Sequence, residues 1–538
     1  MKAGTVLGRT ARPATTLLIA VSCLALAGFG TAEKTKPGDG PVPLTVPKAN
    51  CGPNDHPETA LQGQVPAALR ASGFKGFNCN LELVAQSKGD GANWQTTEFR
   101  DGHSRICAYH GSAAPNVSLP GRNPATLGVP IIDITEPSAP QRVGYLQSTS
   151  MLDPWESLKV NERRKLLAAD NGRNGGNDTG ADPAGRGGPE IDIYDISDDC
   201  RYPQKLASVK VGTGADGGTV AKVLGHEGSW APDGLTYYGG DINQALYYAV
   251  DTVDPTHPKL ITAWKPGIAG ATVHGLSISD DGNRAYVVSL LGAGPVTPDK
   301  AANGLLIYDT SEIQSRQANP QVKLVGKFLF NDGGGAQHTI NVKIGGKPHI
   351  IFVDETGPAG FVFATDLHKA ADAGLPVFPM ARIIDISDET NPKQVSRLML
   401  ETHDPANFNK VIPDLTGLGI FMYGSHYCSV DNRNHATTLA CGYFNSGIRV
   451  FDIRDPVRPK EIAYFNPPGT TTATVGSNHA TIGQWRAGGP DWCSAQVHLD
   501  HSRGTLWTTC QDNGFVMLKF TNGVWPFPQS KTPPGEQN

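Results

Sequence analysis

The feature that most constrains the fold is a short apolar segment that ends in aspartate and recurs along the chain. Six copies lie at 129–135, 191–197, 246–252, 304–310, 381–387 and 447–453, and their aspartates are 56 to 76 residues apart. A seventh segment, 514–520, keeps the apolar pattern but has Lys519 in place of the aspartate. Repetition at a regular spacing is typical of architectures built from one repeated unit. The 538 residues can therefore form one domain, although the length alone would suggest three.

Each repeat contains signals for four short strands. The aspartate is usually followed by a proline-containing turn and another strand, as in 137–145, and a further hairpin lies upstream, as in 276–288. Four antiparallel strands per unit are typical of a propeller blade. The sequence thus predicts an all-β fold, a seven-bladed β-propeller over 78–525. Because no clear strand signal follows 514–520, we expect an N-terminal strand at 79–85 to complete blade 7 and close the ring.

The repeat also resembles a known family. The segments IIDITEPSAP, IIDISDETNP and VFDIRDPVRP are similar to the LVIVD repeat of exported bacterial β-propeller proteins, and the resemblance covers residues 78–520. It implies the propeller fold and a place outside the cytoplasm. It implies little about chemistry, because one propeller fold supports many functions. The long insertions and Lys519 are the departures from the repeat pattern.

The N-terminus predicts export. Three basic residues precede the apolar stretch 16–29, which ends in small residues as a signal peptide does. Cleavage after Ala32 or after Ala27 fits the sequence, and Cys23 leaves lipidation open as an alternative. We expect a signal peptide at 1–32 and a secreted or periplasmic protein of the cell envelope.

Three further segments lie outside the predicted blades or interrupt them. Residues 33–77 form a leader that we expect to be partly disordered, because 33–50 is rich in lysine, proline and glycine. Residues 526–538 form a C-terminal tail of similar character. The glycine-rich, acidic segment 170–188 suits a calcium loop or, since it lacks EF-hand spacing, a flexible insertion.

Charge and hydropathy exclude two classes of partner. The formal net charge is -5 and no long basic run occurs, so the sequence predicts no nucleic-acid binding. After the signal peptide no stretch approaches the ~20 apolar residues that a transmembrane helix needs. We expect a monomer whose small-molecule or protein ligand the sequence does not identify.

The cysteines predict disulfides. Of nine cysteines, eight remain after removal of the signal peptide, an even number in an oxidising compartment. No C-x2-C pair occurs, which argues against zinc binding by cysteine. We predict one disulfide within each of two hairpins, Cys428–Cys441 and Cys493–Cys510. The pairing of the other four stays open: Cys51, Cys79, Cys107 and Cys200.

The candidate functional residues are histidines near the start of the innermost strands of five successive repeats: His226, His274, His338, His426 and His479. Equivalent positions of innermost strands point towards the propeller axis, so these imidazoles can converge on iron, copper or zinc. Carboxylates near strand ends can orient the rings or complete the site, the candidates being Glu227, Asp241, Asp354 and Glu355. The alternative is that the histidines only form hydrogen bonds between blades.

Two classes of function follow. The first is an exported propeller that acts as a ligand- or protein-binding module of the cell envelope. The alternative is a metal-dependent oxidoreductase with a histidine-ligated ion at the axis, for which the insertions 151–190, 400–424 and 466–492 would provide a cover. The sequence assigns no catalytic residue and no substrate.

Overall fold

The computed structural model describes ten stretches of the chain: 44–112, 124–170, 190–212, 225–242, 244–291, 303–357, 364–415, 418, 420–481 and 486–527. The predicted signal peptide lies outside these residues, as do 171–188 of the glycine-rich segment and 528–538 of the tail.

Seven antiparallel sheets make up the fold, so the prediction of an all-β, seven-bladed propeller is confirmed. Blade 1 consists of Thr96–Arg100, Ile106–His110, Val129–Asp133 and Gln141–Leu146. Blade 2 consists of Lys159–Asn161, Leu166–Asp170, Glu190–Asp195 and Gln204–Lys210. Blade 3 consists of Glu227–Trp230, Thr236–Asp241, Leu246–Asp251 and Lys259–Trp264.

The remaining blades continue in chain order. Blade 4 consists of Leu276–Ile278, Arg284–Leu291, Asn303–Asp309 and Lys323–Phe330, with Ala271–Thr272 also paired to its second strand. Blade 5 consists of Gly334–Ile344, Lys347–Thr356, Ala381–Asp385 and Lys393–Arg397. Blade 6 consists of Ser425–Val430, Thr438–Tyr443, Ile448–Asp452, Lys460–Asn466 and Phe77–Cys79. Blade 7 consists of His498–Asp500, Thr505–Cys510, Gly514–Phe520 and Leu81–Ser87.

The first strand of each blade lies innermost. From blade 1 through to blade 7, first strands of successive blades contact one another, which places them around a common axis. The apolar core is divided among the spaces between blades, because each sheet buries both faces against its neighbours. At the junction of blades 7 and 1, for example, Ile106 and Ile132 pack with Trp507 and Phe515. This junction is part of the closed ring.

The recurring aspartates have one structural role. Each ends the third strand of its blade and accepts a hydrogen bond at 2.7–3.1 Å from the backbone N–H two residues later. Such side-chain bonds stabilise the turn into the fourth strand. Blade 7 takes its fourth strand from the N-terminal region, so its third strand does not lead through a turn into a fourth. This difference explains why Lys519 can replace the aspartate there.

The ring is closed by an N-terminal strand, as predicted, but the strand begins two residues later than expected. Leu81–Ser87 pairs antiparallel with Gly514–Phe520. Cys79 belongs instead to Phe77–Cys79, which pairs with the outer strand of blade 6. Between the two strands Asn80 has a φ of 57°, in the left-handed region. The bend at Asn80 lets the chain pass from blade 6 to blade 7.

Four disulfides are present. Cys428–Cys441 and Cys493–Cys510, here called the hairpin disulfides, are the two predicted pairings. The first links the first two strands of blade 6, and the second links the segment before the first strand of blade 7 to the end of its second strand. The pairings that the sequence left open are Cys51–Cys79 and Cys107–Cys200. The first ties the leader to blade 6, and the second joins blade 1 to the turn after the third strand of blade 2.

The described part of the leader, residues 44–77, contacts the propeller. The buried Val46 packs in the core between blades 5 and 6, and its N–H donates to the carbonyl of Met399. Farther along, Glu58 forms an ion pair with the buried Arg449 of blade 6. An apolar anchor and a buried ion pair hold this segment on the propeller despite its loop-like composition.

Helices are short and lie in connections between strands or in the leader. The α-helices are Ala67–Ala71, Ser311–Gln314, Ala364–Asp372, Phe408–Leu415 and Asn478–Thr481, and the 3-10 helices are Pro124–Thr126, Ser150–Leu152, Glu401–His403 and Pro405–Asn407. Within the described residues, none of the helices has the length and apolar character needed to span a membrane.

Candidate metal centre

The structure brings three of the predicted histidines and two glutamates together near the propeller axis. His226 directly precedes the first strand of blade 3, His274 lies two residues before that of blade 4, and His426 lies in the first strand of blade 6. Glu355 comes from the second strand of blade 5, and Glu156 from the segment before blade 2. These five residues, each less than 9% exposed, are here called the axial cluster.

Glu156 was not identified from the sequence. It lies three residues before the first strand of blade 2, close to where His226 and His274 stand in blades 3 and 4. A parallel bridge between Glu156 and Glu227 fixes its backbone beside blade 3. The position could have been inferred by comparing the repeats, but a search for histidines alone passed over it.

Three atoms form the tightest part of the axial cluster. The Nε2 atoms of His226 and His274 are 2.9 Å apart. Each lies 3.4 Å from the Oε2 atom of Glu156. Two imidazole nitrogens and one carboxylate oxygen therefore define a nearly isosceles triangle, a donor set that suits iron, copper or zinc.

His426 approaches the same carboxylate from the other side. Its Nε2 lies 3.4 Å from Oε1 of Glu156 and 3.5 Å from Oε2 of Glu355. The other oxygen of Glu355, Oε1, lies 3.8 Å from Nε2 of His274. The two glutamates thus both lie between the same pair of imidazoles.

Two of the three rings are oriented by partners outside the axial cluster. Nδ1 of His426 donates to the backbone carbonyl of Ser494 at 2.9 Å, and Nδ1 of His274 lies 3.3 Å from Oε2 of Glu227. A partner at Nδ1 fixes the ring and directs Nε2 towards a ligand. Glu227 thus contacts His274 at the atom where an orienting partner is expected.

Glu156 is held by neutral donors as well. The amide of Gln337 donates to its Oε2 at 3.1 Å, and the hydroxyl of Tyr427 donates to the same oxygen at 3.3 Å. Burial acts to raise the pKa of Glu156, but the charges of His274 and His226 and the hydrogen bonds from the imidazoles hold it well below its usual range. The carboxylate is therefore ionised and available as a ligand.

Burial and neighbouring charges shift the pKa values of the other titratable groups in different directions. It raises the pKa of Glu227 to about 8, and together with the neighbouring charge of His226 it lowers the pKa of His274 to about 4. Burial opposes the charge on His426 too, but hydrogen bonds to Glu156 and Glu355 raise its pKa to about 9. Without an ion, a charged His426 balances part of the negative charge.

His338 lies beside the axial cluster without a hydrogen bond of its own. Its ring stacks on Tyr427 with centroids 4.6 Å apart, and it is only 4% exposed. Within the part of the chain that the structure describes, neither ring nitrogen has a partner with hydrogen-bonding geometry. Burial and the charge of Lys159 hold the pKa of His338 well below its usual range, and His426 and His274 are close enough to contribute.

His479 is the predicted candidate that belongs elsewhere. Its Nδ1 lies 2.9 Å from Oδ2 of Asp512 and 3.8 Å from Oδ1 of Asp491. Asp491 in turn accepts hydrogen bonds from the backbone N–H groups of Asp512 and Asn513. This second cluster fastens the insertion 466–492 to the end of blade 7, so its charges are used in holding two loops together.

Two of the suggested carboxylates also have other partners. Asp354 forms a buried ion pair with Arg382 at 2.9 Å, and Asp241 accepts hydrogen bonds from Gln244. Asp354 stabilises blade 5, and Asp241 stabilises the turn after the second strand of blade 3.

Aromatic side chains cover the axial cluster. Trp94 packs on His426 with ring centroids 5.1 Å apart, and Trp155 packs on His226 at 6.0 Å. Phe421 and Trp492 lie in the same apolar cluster as Trp94. Trp155, Phe421 and Trp492 come from or immediately adjoin the three insertions that the sequence predicted as a cover, 151–190, 400–424 and 466–492.

The fold and this site define the molecule as a disulfide-bonded seven-bladed β-propeller with a buried cluster of histidine and glutamate at its axis. No family model matches the chain, and no curated protein matches its sequence. Many solved structures have a similar fold. They include a protein provisionally assigned as a 6-phosphogluconolactonase from Bacteroides uniformis, with 11% identity over 78% of this chain and 93% of that chain and a TM-score of 0.47.

Hydrazine synthase from Kuenenia stuttgartiensis is similar at the same level. It has 11% identity over 80% of this chain and 96% of that chain, with a TM-score of 0.45. Similarity this distant does not extend to function.

Proposed function

We propose that the protein is an exported, metal-dependent oxidoreductase whose metal ion is held by His226, His274 and Glu156. The observation that carries the proposal is the convergence of these three ligand atoms within 4.8 Å of one another in a buried site. Two histidines and one carboxylate on one face of an ion are the ligands of many non-haem iron(II) oxygenases, and they leave the other coordination positions open. The resemblance to the LVIVD repeat and the N-terminal signal support export.

The spacing of the three atoms fits the ligands of one metal ion. Ligand atoms ~2.1 Å from one ion are ~3.0 Å apart on an octahedral face and ~3.4 Å apart in a tetrahedron. The three edges of the triangle, at 2.9, 3.4 and 3.4 Å, span this range. Charge-assisted hydrogen bonds between imidazolium and carboxylate are shorter, ~2.7–2.9 Å. The two distances from Glu156 to the imidazoles, both 3.4 Å, therefore match the separation of two ligands on one ion.

The chain also provides the surroundings that such chemistry needs. An iron ion would supply the redox change and the open coordination positions. Gln337 and Tyr427 hold the carboxylate of Glu156 by donating to it. The aromatic side chains of the cover exclude water from the ligands, which strengthens every electrostatic interaction inside the site.

Metal content tests the proposal. After treatment with a chelator, the exported protein should take up iron(II) without oxygen and hold at least one equivalent through gel filtration. A His274→Ala variant should lose this iron while keeping its circular dichroism spectrum. The matched control, His257→Ala, changes a histidine whose side chain is 75% exposed and should bind iron as the wild type does.

Two results would overturn the proposal. One is a wild type that binds none of iron, copper or zinc, and the other is a His274→Ala variant that binds iron as well as the wild type. The oxidoreductase class is tested separately, by dioxygen consumption of the iron-loaded protein with ascorbate. Consumption no faster than that of His274→Ala would exclude that class while leaving the metal site.

The second candidate is a binding module of the cell envelope, and one observation favours it. A charged His426 between Glu156 and Glu355 links blades 2, 5 and 6 by ion pairs without any metal. The histidines would then hold the ring together, and a ligand would bind at the loops on one face. This function would be favoured if the wild type binds no metal and its melting temperature is the same before and after treatment with a chelator.

A further inference from the structure

A pair of glutamates in the axial cluster is arranged to bridge two ions. Glu156 directs Oε2 at His274 and Oε1 at His426, both at 3.4 Å. Glu355 directs Oε1 at His274, at 3.8 Å, and Oε2 at His426, at 3.5 Å. Each carboxylate therefore offers one oxygen to each of the same two imidazoles. A single ion would use only one side of this arrangement.

We propose that the site is dinuclear and that a second metal ion is bound by His426, Glu355 and Glu156. The inference rests on the proposed function, because the first ion is the one held by His226, His274 and Glu156. Glu156 and Glu355 bridge the two ions. Carboxylate-bridged pairs of ions ~3.5–4 Å apart are common in metalloenzymes.

Orientation of His426 supports a ligand at its Nε2. Its Nδ1 donates to the carbonyl of Ser494, so a neutral ring presents a lone pair at Nε2, towards both glutamates. The two distances from this atom, 3.4 and 3.5 Å, exceed the ~2.7–2.9 Å of a charge-assisted hydrogen bond. They are near the ~3.4 Å between ligands of a tetrahedral ion.

The surroundings of His338 are a second, independent observation that supports another bound ion. It is 4% exposed, and among the described residues no group meets hydrogen-bonding geometry at either ring nitrogen, although the backbone of Cys428 is close enough to act on its pKa. A buried polar group without a partner is costly, and such groups in native proteins usually have a bound water or ion. The rings of His338 and His426 both pack against Tyr427. His338 therefore lies near the ligands of the proposed second ion.

The charge of the site also suits two cations. Glu156 and Glu355 are both buried, and among the described residues neither forms an ion pair with a lysine or an arginine. Buried carboxylates are otherwise strongly unfavourable without paired charge.

Stoichiometry of Co2+ tests the inference. Metal-free protein is titrated with Co2+ alone, and bound cobalt is measured by elemental analysis together with electron paramagnetic resonance. We expect two equivalents per wild-type chain, and a signal per cobalt that falls as the second equivalent binds, because bridged ions couple magnetically. Glu355→Gln should hold one equivalent with an uncoupled signal.

Glu389→Gln is the matched control. It makes the same substitution on a glutamate paired with Arg284, away from the axial cluster, and should bind two equivalents. Circular dichroism and the melting temperature establish that each variant is folded. If Glu355→Gln does not fold, Glu355→Asp, with a shorter side chain, replaces it and should weaken the second equivalent at least ~tenfold.

Each outcome is decisive. One equivalent in the wild type overturns the second ion and leaves the proposed function in place. None in the wild type overturns both. Two equivalents in Glu355→Gln, or two equivalents without magnetic coupling, overturn the bridge by Glu355.

Discussion

A buried histidine outside the axial cluster should make the stability of the propeller sensitive to acid. His403 lies at the start of the insertion 400–424. Its Nε2 donates to the carbonyl of Tyr423 at 3.1 Å, and its Nδ1 accepts from the N–H of Leu400 at 3.3 Å. Only the neutral ring can satisfy both bonds, because protonation would set an N–H of the ring against the N–H of Leu400. His403 thus joins the two ends of an insertion that covers the site.

The magnitude follows from the pKa. Burial, with a smaller contribution from the charge of Arg449, lowers the pKa of His403 from 6.5 to about 3. Between these values the unfolded chain binds a proton that the folded chain does not. The stabilisation is complete above pH 6.5 and is lost as the pH falls towards 3. At ~1.4 kcal/mol for each pH unit, the free energy of unfolding falls by about 3 kcal/mol between pH 6.5 and pH 4.

The assay compares melting temperatures of the wild type and His403→Gln from pH 7 to pH 4 by scanning calorimetry. For a chain of this length the entropy of unfolding is ~1 kcal/mol per degree, so about 3 kcal/mol corresponds to ~3 °C. The wild type should be the more stable protein at pH 7, and its advantage should shrink by ~3 °C at pH 4. His435→Gln, which changes an exposed histidine, is the control and should run parallel to the wild type. Parallel curves for the wild type and His403→Gln would refute the reasoning.

Three other predictions concern the framework of the site. Arg449→Met leaves the buried carboxylates of Glu58 and Glu461 without their cation and should cost about 3–5 kcal/mol, whereas Arg433→Met, in an exposed ion pair, should cost less than ~1 kcal/mol. Thermal unfolding distinguishes the two, and equal losses would contradict the assignment. Glu227→Leu should weaken metal binding by the axial cluster ~10–100-fold, measured by competition with a chelator, because an orienting partner is removed. Unchanged affinity would exclude that role. Peptide mapping without reductant should recover both hairpin disulfides, and exchanged partners would show the structure to be wrong there.

Much of the architecture could be predicted because repetition is visible in the sequence. The aspartates mark the third strand of six blades since each one stabilises a turn, and a turn needs only local residues. Order in the leader could not be predicted in the same way. Val46 and Glu58 are fixed by contacts with blades 5 and 6, more than 300 residues away in the chain, and the local composition gives no sign of them.

The site could be predicted only in part, for a related reason. His226, His274 and His426 were candidates because they recur at one position of the repeat. Glu156 stands close to the same place in blade 2, but its role depends on which residue types the neighbouring blades present. His479 has the spacing of the other candidates in the sequence, but it lies away from the axial cluster. Its ring contacts Asp491 of the insertion 466–492 and Asp512 of blade 7 instead.

The distribution of ligands around the ring has a mechanical consequence. The axial cluster draws its residues from blades 2 to 6, whereas the ring closes at blade 7, through Leu81–Ser87. At the equivalent inner positions, blades 1 and 7 contact each other through Thr96, which bonds the backbone of Gln496 and the ring of His498. A closing strand is the element most able to fray, because the chain enters and leaves there. The proposed ligands lie on the other blades, so we expect their spacing to be insensitive to that fraying, and a metal ion needs its ligands within a few tenths of an ångström.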